Sequence, residues 1–272
     1  MTPTLAQVTE AAHALWPLAG AEPWDAPGLV SGDPAAEVGA IHLAVDAVLD
    51  TADEAVALGA QLLVTHHPLL LRGVTSVAED RSKGAVIARL IRGGCALLAA
   101  HTNADVVADG TSAVLASRLG LRDTRPIEPS ASDPTTGLGR VGELEHAMTL
   151  GELARGLQEI LPATAQGIRG AGEYGAEVRR VALCAGAGDS LLAHPAVRGA
   201  DVYITSDLRH HPASEARENA RVAGGPALLD ISHWAAEWLW LDAAAEALRA
   251  ALPGVTVSVS ELRTDPWDFA LV

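Results

Sequence analysis

The strongest constraint on what this 272-residue chain can fold into is that much of it is written twice. Two passages alternate apolar runs with amphipathic stretches in the order β-α-β-α-β-α. The first runs from AIHLAVDAV (40–48) through a helix around DEAVALGA to QLLVTHH (61–67). A helix around KGAVIARLIRGG follows, then a strand over CALLAAHTNAD (95–105) and a helix in DGTSAVLASRLG. The second begins with RRVALCAG (179–186) and a helix around SLLAHPAVRGA. It continues with DVYITSD (201–207), a helix around PASEARENARVAGG, and PALLDISHWAAE (226–237), which runs into a long helix through EWLWLDAAAEALRAAL. The match holds at single residues. GAQLLVTHHPL aligns with GADVYITSDLRHHP up to the shared Thr65 and Thr205. GGCALLAAHTNAD aligns with GGPALLDISHWAAE from the paired glycines, placing His101 opposite Ser232, one residue short of His233.

Strands that alternate with helices imply mostly parallel sheets covered by helices. The reading is therefore an α/β fold of two internally duplicated domains. The stretch 122–144, rich in Pro, Ser, Thr and Gly, marks the boundary. It predicts a discontinuous first domain, 1–125 plus 238–272, and a second domain, 126–237. The segment 145–178 adds a helix to the second, and a last strand over VTVSVSEL (255–262) returns to the first.

Composition narrows the function classes. Mean hydropathy is only +0.20, and no apolar run reaches the length of a membrane span. The N-terminus lacks a basic region followed by an apolar one and reads as a helix start capped by Thr4 or Thr9, so a cytoplasmic location is expected. Cys95 and Cys184 sit in apolar runs and read as buried free thiols. A net charge of −15 opposes phosphate backbones, so nucleic acid is not an expected partner.

Ligands bind beyond the carboxyl ends of parallel strands, and the apolar strand bodies here end in ligand-type residues. His66 and His67 in THHP can both reach one cleft where the chain turns before Pro68, although a bare histidine pair is equally compatible with a turn. In HTNAD, Asp105 is a carboxylate ligand or a helix cap, with Asp109 and Thr111 as rival caps. His101 is a ligand or a group that orients one. In SHWAAE, His233 and Glu237 stand at i and i+4, one helix face. Trp234, Trp238 and Trp240 beside them read as packing residues. In TSDLRHHPASE, Asp207, Arg209, His210 and His211 could contact substrate, transfer protons or solvate the turn. His13, His42, His146 and His194 lack such company and read as structural. Three histidines with one Asp and one Glu exceed what one tetrahedral zinc takes, before His101 is counted. Two ions sharing a carboxylate account for the number.

At these residues the sequence resembles the family named GTP cyclohydrolase I type 2, the NIF-three-like dinuclear-metal proteins. PWDAPGL (23–29), VTHHP (64–68), AAHTNAD (99–105), YITSDLRHHPASEA (203–216) and DISHWAAE (230–237) occur in the family's order. The resemblance implies two interlocked α/β domains, a dinuclear centre in the cleft between them, and a ring-shaped homohexamer. It implies that His67 and Asp105 bind one ion, His66 and His233 the other, that Glu237 bridges both, and that His101 sits at or beside them. The ions would be two divalent metals per chain: zinc, iron, manganese or nickel. The implied activity is hydrolysis of a nucleotide or related small polar substrate by metal-activated water, with His211 or Asp207 for proton transfer. The alternative is a non-catalytic, metal-binding hexamer with a regulatory or scaffold role. Two features depart from the family: Ala26 stands where an Asn commonly follows Trp24 and Asp25, and the length leaves no room for the inserted domain of longer relatives.

Overall fold

A computed structural model describes residues 2–271. The chain opens with helix α1 (Leu5–Leu15), strands β1 (Gly28–Ser31) and β2 (Ala40–Ala44), and helix α2 (Leu49–Ala57). Strand β3 (Leu62–Thr65), helix α3 (Ser82–Arg92), strand β4 (Ala96–Ala99) and the single turn α4 (Thr102–Asp105) follow. Next come α5 (Thr111–Arg118), β5 (Arg122–Arg125), the short β6 (Glu128–Pro129) and β7 (Gly137–Leu138), β8 (Arg140–Thr149) and α6 (Leu150–Ile160). The second repeat consists of β9 (Arg169–Ala171), β10 (Glu177–Ala187), α7 (Pro195–Arg198), β11 (Val202–Ser206), α8 (His210–Ala223), β12 (Ala227–Ile231) and α9 (His233–Trp238). Helix α10 (Trp240–Ala251) and strand β13 (Thr256–Val259) complete the chain's regular structure.

These elements form two units, Met1–Val107 with Leu241–Thr264, and Ala108–Trp240 with Asp265–Val272. The first holds a five-stranded sheet in the order β1-β4-β3-β2-β13. Its strands β13, β2, β3 and β4 are parallel, and β1 runs antiparallel to β4. The second holds a six-stranded sheet in the order β5-β8-β10-β11-β12-β9. There β10, β11 and β12 are parallel, flanked by antiparallel β8 and β9. The last strand therefore does join the first sheet, pairing Val257 with Ile41. The Pro- and Gly-rich stretch lies inside the second unit, where it builds β5 to β8. Helix α5 packs on β8 and β10, so the first unit stops before α5 and not at 125. The tail 265–272 also belongs to the second unit, tied by Ser232 Oγ donating to Asp265 Oδ2 (2.6 Å).

The duplication is longer than the sequence reading traced. In each unit a capped helix precedes an antiparallel edge strand, which precedes the three parallel strands. Helix α1 starts in a reciprocal cap between Thr4 and Gln7, and α6 in the same cap between Thr149 and Glu152. Strand β1 then borders the third parallel strand of its sheet, as β9 does in the other.

The central strands are buried on both faces, as parallel sheets require: all of LLVT in β3, ALLA in β4 and VYITS in β11. In the first unit Leu63, Leu97, Val86, Leu90, Ala52 and Ala55 form one core between the sheet and helices α2 and α3. In the second, Leu153, Leu157, Val181, Leu183, Val202 and Leu229 do the same.

Two strand ends are shorter than expected, and both differences matter for the site. The run 95–105 is strand only to Ala99. His101 N donates to Asn103 Oδ1 (3.0 Å) and Asn103 Nδ2 donates to Trp16 O (2.8 Å), which turns the chain into α4. The run 226–237 is strand only to Ile231, because Ser232 Oγ accepts from Ala235 N (3.2 Å) and starts α9.

Candidate metal-binding residues

The first unit gathers four of the expected residues at the carboxyl ends of β3 and β4. Beyond Thr65 the backbone N–H groups of His66 and His67 continue the ladder to Ala44 O (3.1 Å) and Val45 O (2.9 Å), while Thr65 Oγ1 donates to His67 O (2.9 Å). Both rings are thereby fixed at the strand end. One ring nitrogen from each of His66, His67 and His101 lies within 4.8 Å of the others. Ring centroids are 5.2 Å apart for His66–His67, 5.2 Å for His66–His101 and 5.6 Å for His67–His101. Asp105 ends α4 with Oδ1 3.6 Å from His66 Nε2. It is not the cap of α5, whose N-cap is Gly110.

What most suits these rings to a metal is the other nitrogen. His66 Nδ1 lies 2.9 Å from Ala100 O, His67 Nδ1 2.7 Å from Asp46 Oδ1, and His101 Nδ1 2.8 Å from Asp25 Oδ1. A carbonyl or carboxylate oxygen only accepts, so each Nδ1 carries the proton and each neutral ring keeps its lone pair on Nε2. The carboxylates are held in turn. Asp46 Oδ2 accepts from Thr264 Oγ1, and Asp25 Oδ2 from Thr102 N (3.0 Å) and Thr102 Oγ1. Burial and the neighbouring His66 lower the pKa of His101 against the pull of Asp25 and Asp105, which favours the neutral form a metal needs. Asp25 is also lowered: burial would raise it, but the bonds from Thr102 and His101 prevail. Trp24 stands edge-on to His101, centroids 5.9 Å apart.

The second unit gathers three. His233 and Glu237 occupy one face of α9, with Nε2 2.9 Å from Oε1, and Glu237 is buried. His233 Nδ1 lies 2.7 Å from Asp207 Oδ2. Asp207 follows β11 in the left-handed region (φ 57°), a conformation that few side chains other than Asp and Asn adopt easily. Burial would lower the pKa of His233, but Glu237 and Asp207 raise it well above the ordinary histidine value. Both carboxylates thus favour the protonated ring, and a cation bound at Nε2 would compete with that proton. Gly186, at the end of β10 with φ 83°, makes room for this pair. A Cβ there would lie 2.6 Å from Glu237 Oε1 and 3.4 Å from His233 Nε2.

Asp207 thus holds a ring, whereas His211 lies apart from that contact. His211 is the second residue of α8, its ring 5.2 Å from His210, and it lines a cavity with Asp189, Arg198 and Glu215. Asp46 escaped the sequence reading, although it stands two residues beyond β2 and so obeys the same strand-end rule as His66 and His67. Gly186 was missed as well; its glycine identity in CAGAG gives no sign of the carboxylate beside it.

Each unit by itself offers donors that suit a borderline divalent cation: three imidazoles and a carboxylate in the first, an imidazole and a carboxylate in the second. Comparison with known proteins gives the chain a family. The model of the family Duf34/NIF3 (NGG1p interacting factor 3) matches residues 3–266. A Streptomyces coelicolor protein named GTP cyclohydrolase 1 type 2 homolog is 51% identical over 271 residues, covering 97% of this chain and 94% of that one. A Mycobacterium leprae protein of the same name is 32% identical, covering 98% and 96%. Among solved structures, a Staphylococcus aureus hypothetical protein superposes with a TM-score of 0.89 at 26% identity, covering 99% of this chain and 100% of the other. A Bacillus cereus protein related to NIF3, at 22% identity, shares the fold with a TM-score of 0.90, covering 99% and 100%. With nearly its whole length matched, the chain belongs to the Duf34/NIF3 family.

Proposed function

We propose that this protein is a dinuclear metal-dependent hydrolase acting on a nucleotide or related small polar substrate. One observation carries the reading: three imidazoles gathered at the strand ends of one unit, His66, His67 and His101, each have Nδ1 tied to an oxygen, which puts the proton there and the lone pair of the neutral ring on Nε2. In this reading His66, His67, His101 and Asp105 of the first unit, and His233 and Glu237 of the second, would be the residues that hold two divalent ions. The close grouping of the His101 ring with His66 and His67 supports a direct role for it. Two bound divalent ions, zinc, iron, manganese or nickel, would polarise the substrate and activate a water. The chain's own part is to fix the rings. Asp25, Asp46 and Asp207 orient them, and Asp207, committed to His233, leaves proton transfer to His211. The name shared by the relatives makes GTP the first substrate to try. We take the working assembly to be a homohexamer. Among the described residues no helix is long and apolar enough to cross a membrane.

Metal analysis and turnover test the proposal together. Wild type should hold close to two ions per chain, fewer in Glu237→Ala, and His66→Ala should abolish turnover. If GTP and a panel of phosphodiesters remain intact with metal-loaded protein, and His66→Ala changes nothing, the hydrolase reading fails. Full metal content without turnover would favour the regulatory, metal-binding alternative.

A further inference from the structure

The last strand of the first sheet has a sequence that leaves its register open. VTVSVS (255–260) repeats every two residues, so a shift by two exchanges valine for valine and hydroxyl for hydroxyl. Of β13 itself only Val257 is buried, and so light an apolar pattern specifies a pairing weakly. Yet Val257 sits beside Ile41, and Ser258 beside His42. Polar groups make that choice. His42 is buried, with Nδ1 2.8 Å from Ser258 Oγ and Nε2 3.0 Å from Glu54 Oε2. The same carboxylate oxygen accepts from Ser260 Oγ (2.5 Å). Further along the segment, Thr264 Oγ1 donates to Asp46 Oδ2, while Asp46 Oδ1 holds the His67 ring.

Two carboxylates therefore test one segment. Slipped by two residues in one direction, Leu262 would replace Ser260 against Glu54. Slipped in the other, it would replace Thr264 against Asp46. Either slip takes a hydroxyl donor from a partly buried carboxylate and displaces the chain by about 6.5 Å, beyond reach of the original bonds. Apolar side chains at 42, 54, 258 and 260 would fasten the strand at a lower cost in desolvation, but they could not tell these registers apart. We propose that Thr264 is a positioning residue for His67, acting through Asp46, and that Glu54, His42 and Ser260 deliver it by locking the register of β13. The last strand of the sheet thus becomes part of the apparatus that aims a ligand. Linkage makes the effect reciprocal: a cation on the His67 ring would tighten β13 as much as a docked β13 tightens the cation. The inference rests on the metal reading of His67 for its purpose, and its test stands without a metal.

The proton on the His67 ring reports directly. In metal-free protein carrying 15N-histidine, the Nδ1–H of His67, assigned by its loss in His67→Gln, should exchange slowly with water. Thr264→Val should speed that exchange about tenfold, and Thr264→Ser should bring it back to within about threefold of wild type. Ser260→Ala, and Glu54→Ala more strongly, should speed exchange at the β13 amides and at the ring proton together, with β11 and β12 unchanged. If Glu54→Ala fails to fold, Ser260→Ala alone decides. With zinc added, chelator competition should find affinity about tenfold lower in Thr264→Val and near wild type in Thr264→Ser. A ring proton as protected in Thr264→Val as in wild type, or Thr264→Ser behaving like Thr264→Val, overturns the positioning role. Opening of β13 in Ser260→Ala that leaves the ring proton protected overturns the lock. Wild-type protein that retains no zinc would count against the metal reading alone, because the ring proton is read without metal.

Discussion

The two units build the same strand order and furnish it unequally. In the first, β3 and β4 end in three histidines whose partners are a carbonyl and two aspartates. In the second, β11 ends in Ser206 and Asp207, and β12 leads into a lone histidine with a glutamate one turn on. The electrostatics diverge accordingly. Burial and a neighbouring ring lower the pKa of His101, whereas two carboxylates raise that of His233 against its burial. One copy of the repeat thus favours a neutral imidazole at its strand ends, and the other a protonated one. Duplication preserved the scaffold and left the strand-end residues free to change, because they lie outside the packed strand bodies.

Experiments can press on this contrast, starting with what the units share. Leu63→Ala and Leu229→Ala, fully buried at matching depth in the two cores, should each cost about 2–5 kcal/mol in denaturant unfolding. A loss below about 1 kcal/mol for either would mean that its sheet is not packed as its twin is. Gly186→Ala acts on the second unit alone. The left-handed backbone and the Cβ contact with Glu237 should cost about 1–3 kcal/mol and lower metal content, and unchanged metal content would contradict the crowding described. Asp46→Ala and Asp207→Ala remove the oxygen behind one ring in each unit. Metal affinity should fall roughly 10–100-fold in each, and a normal affinity in either would remove that aspartate from the site. The smallest effect concerns the thiols. Burial pushes Cys95 up to about 11, and Cys184 is equally enclosed, so iodoacetamide at pH 8 should label neither until denaturant is added. Rapid labelling of the native protein at one cysteine would reveal local opening of that unit.

The sequence exposed the strand ends because parallel strands leave a clear signature: unbroken apolar runs that stop at polar residues. His66, His67, Asp105, His233 and Glu237 were visible on that basis. The first two elements of the repeat were not. The caps at Thr4 and Thr149 share a chemistry but little sequence, and β1 and β9 are too short to show an alternation. The oxygens behind the rings were hidden for another reason. Asp25 meets His101 across 76 positions and Thr264 meets Asp46 across 218, and no local pattern encodes such pairings. The turn after Ala99 depends likewise on a distant partner, since Asn103 bonds the backbone of Trp16.

The placement of β13 sets an order of events during synthesis. The second sheet is drawn from one continuous stretch, 122–231, and all its strands leave the ribosome before β13 does. The first sheet must wait: its edge strand is residues 256–259, and the hydroxyl that steadies Asp46 comes later still, at Thr264. Until then the β2 edge of that sheet stays open, one strand away from the β3 end that carries His66 and His67.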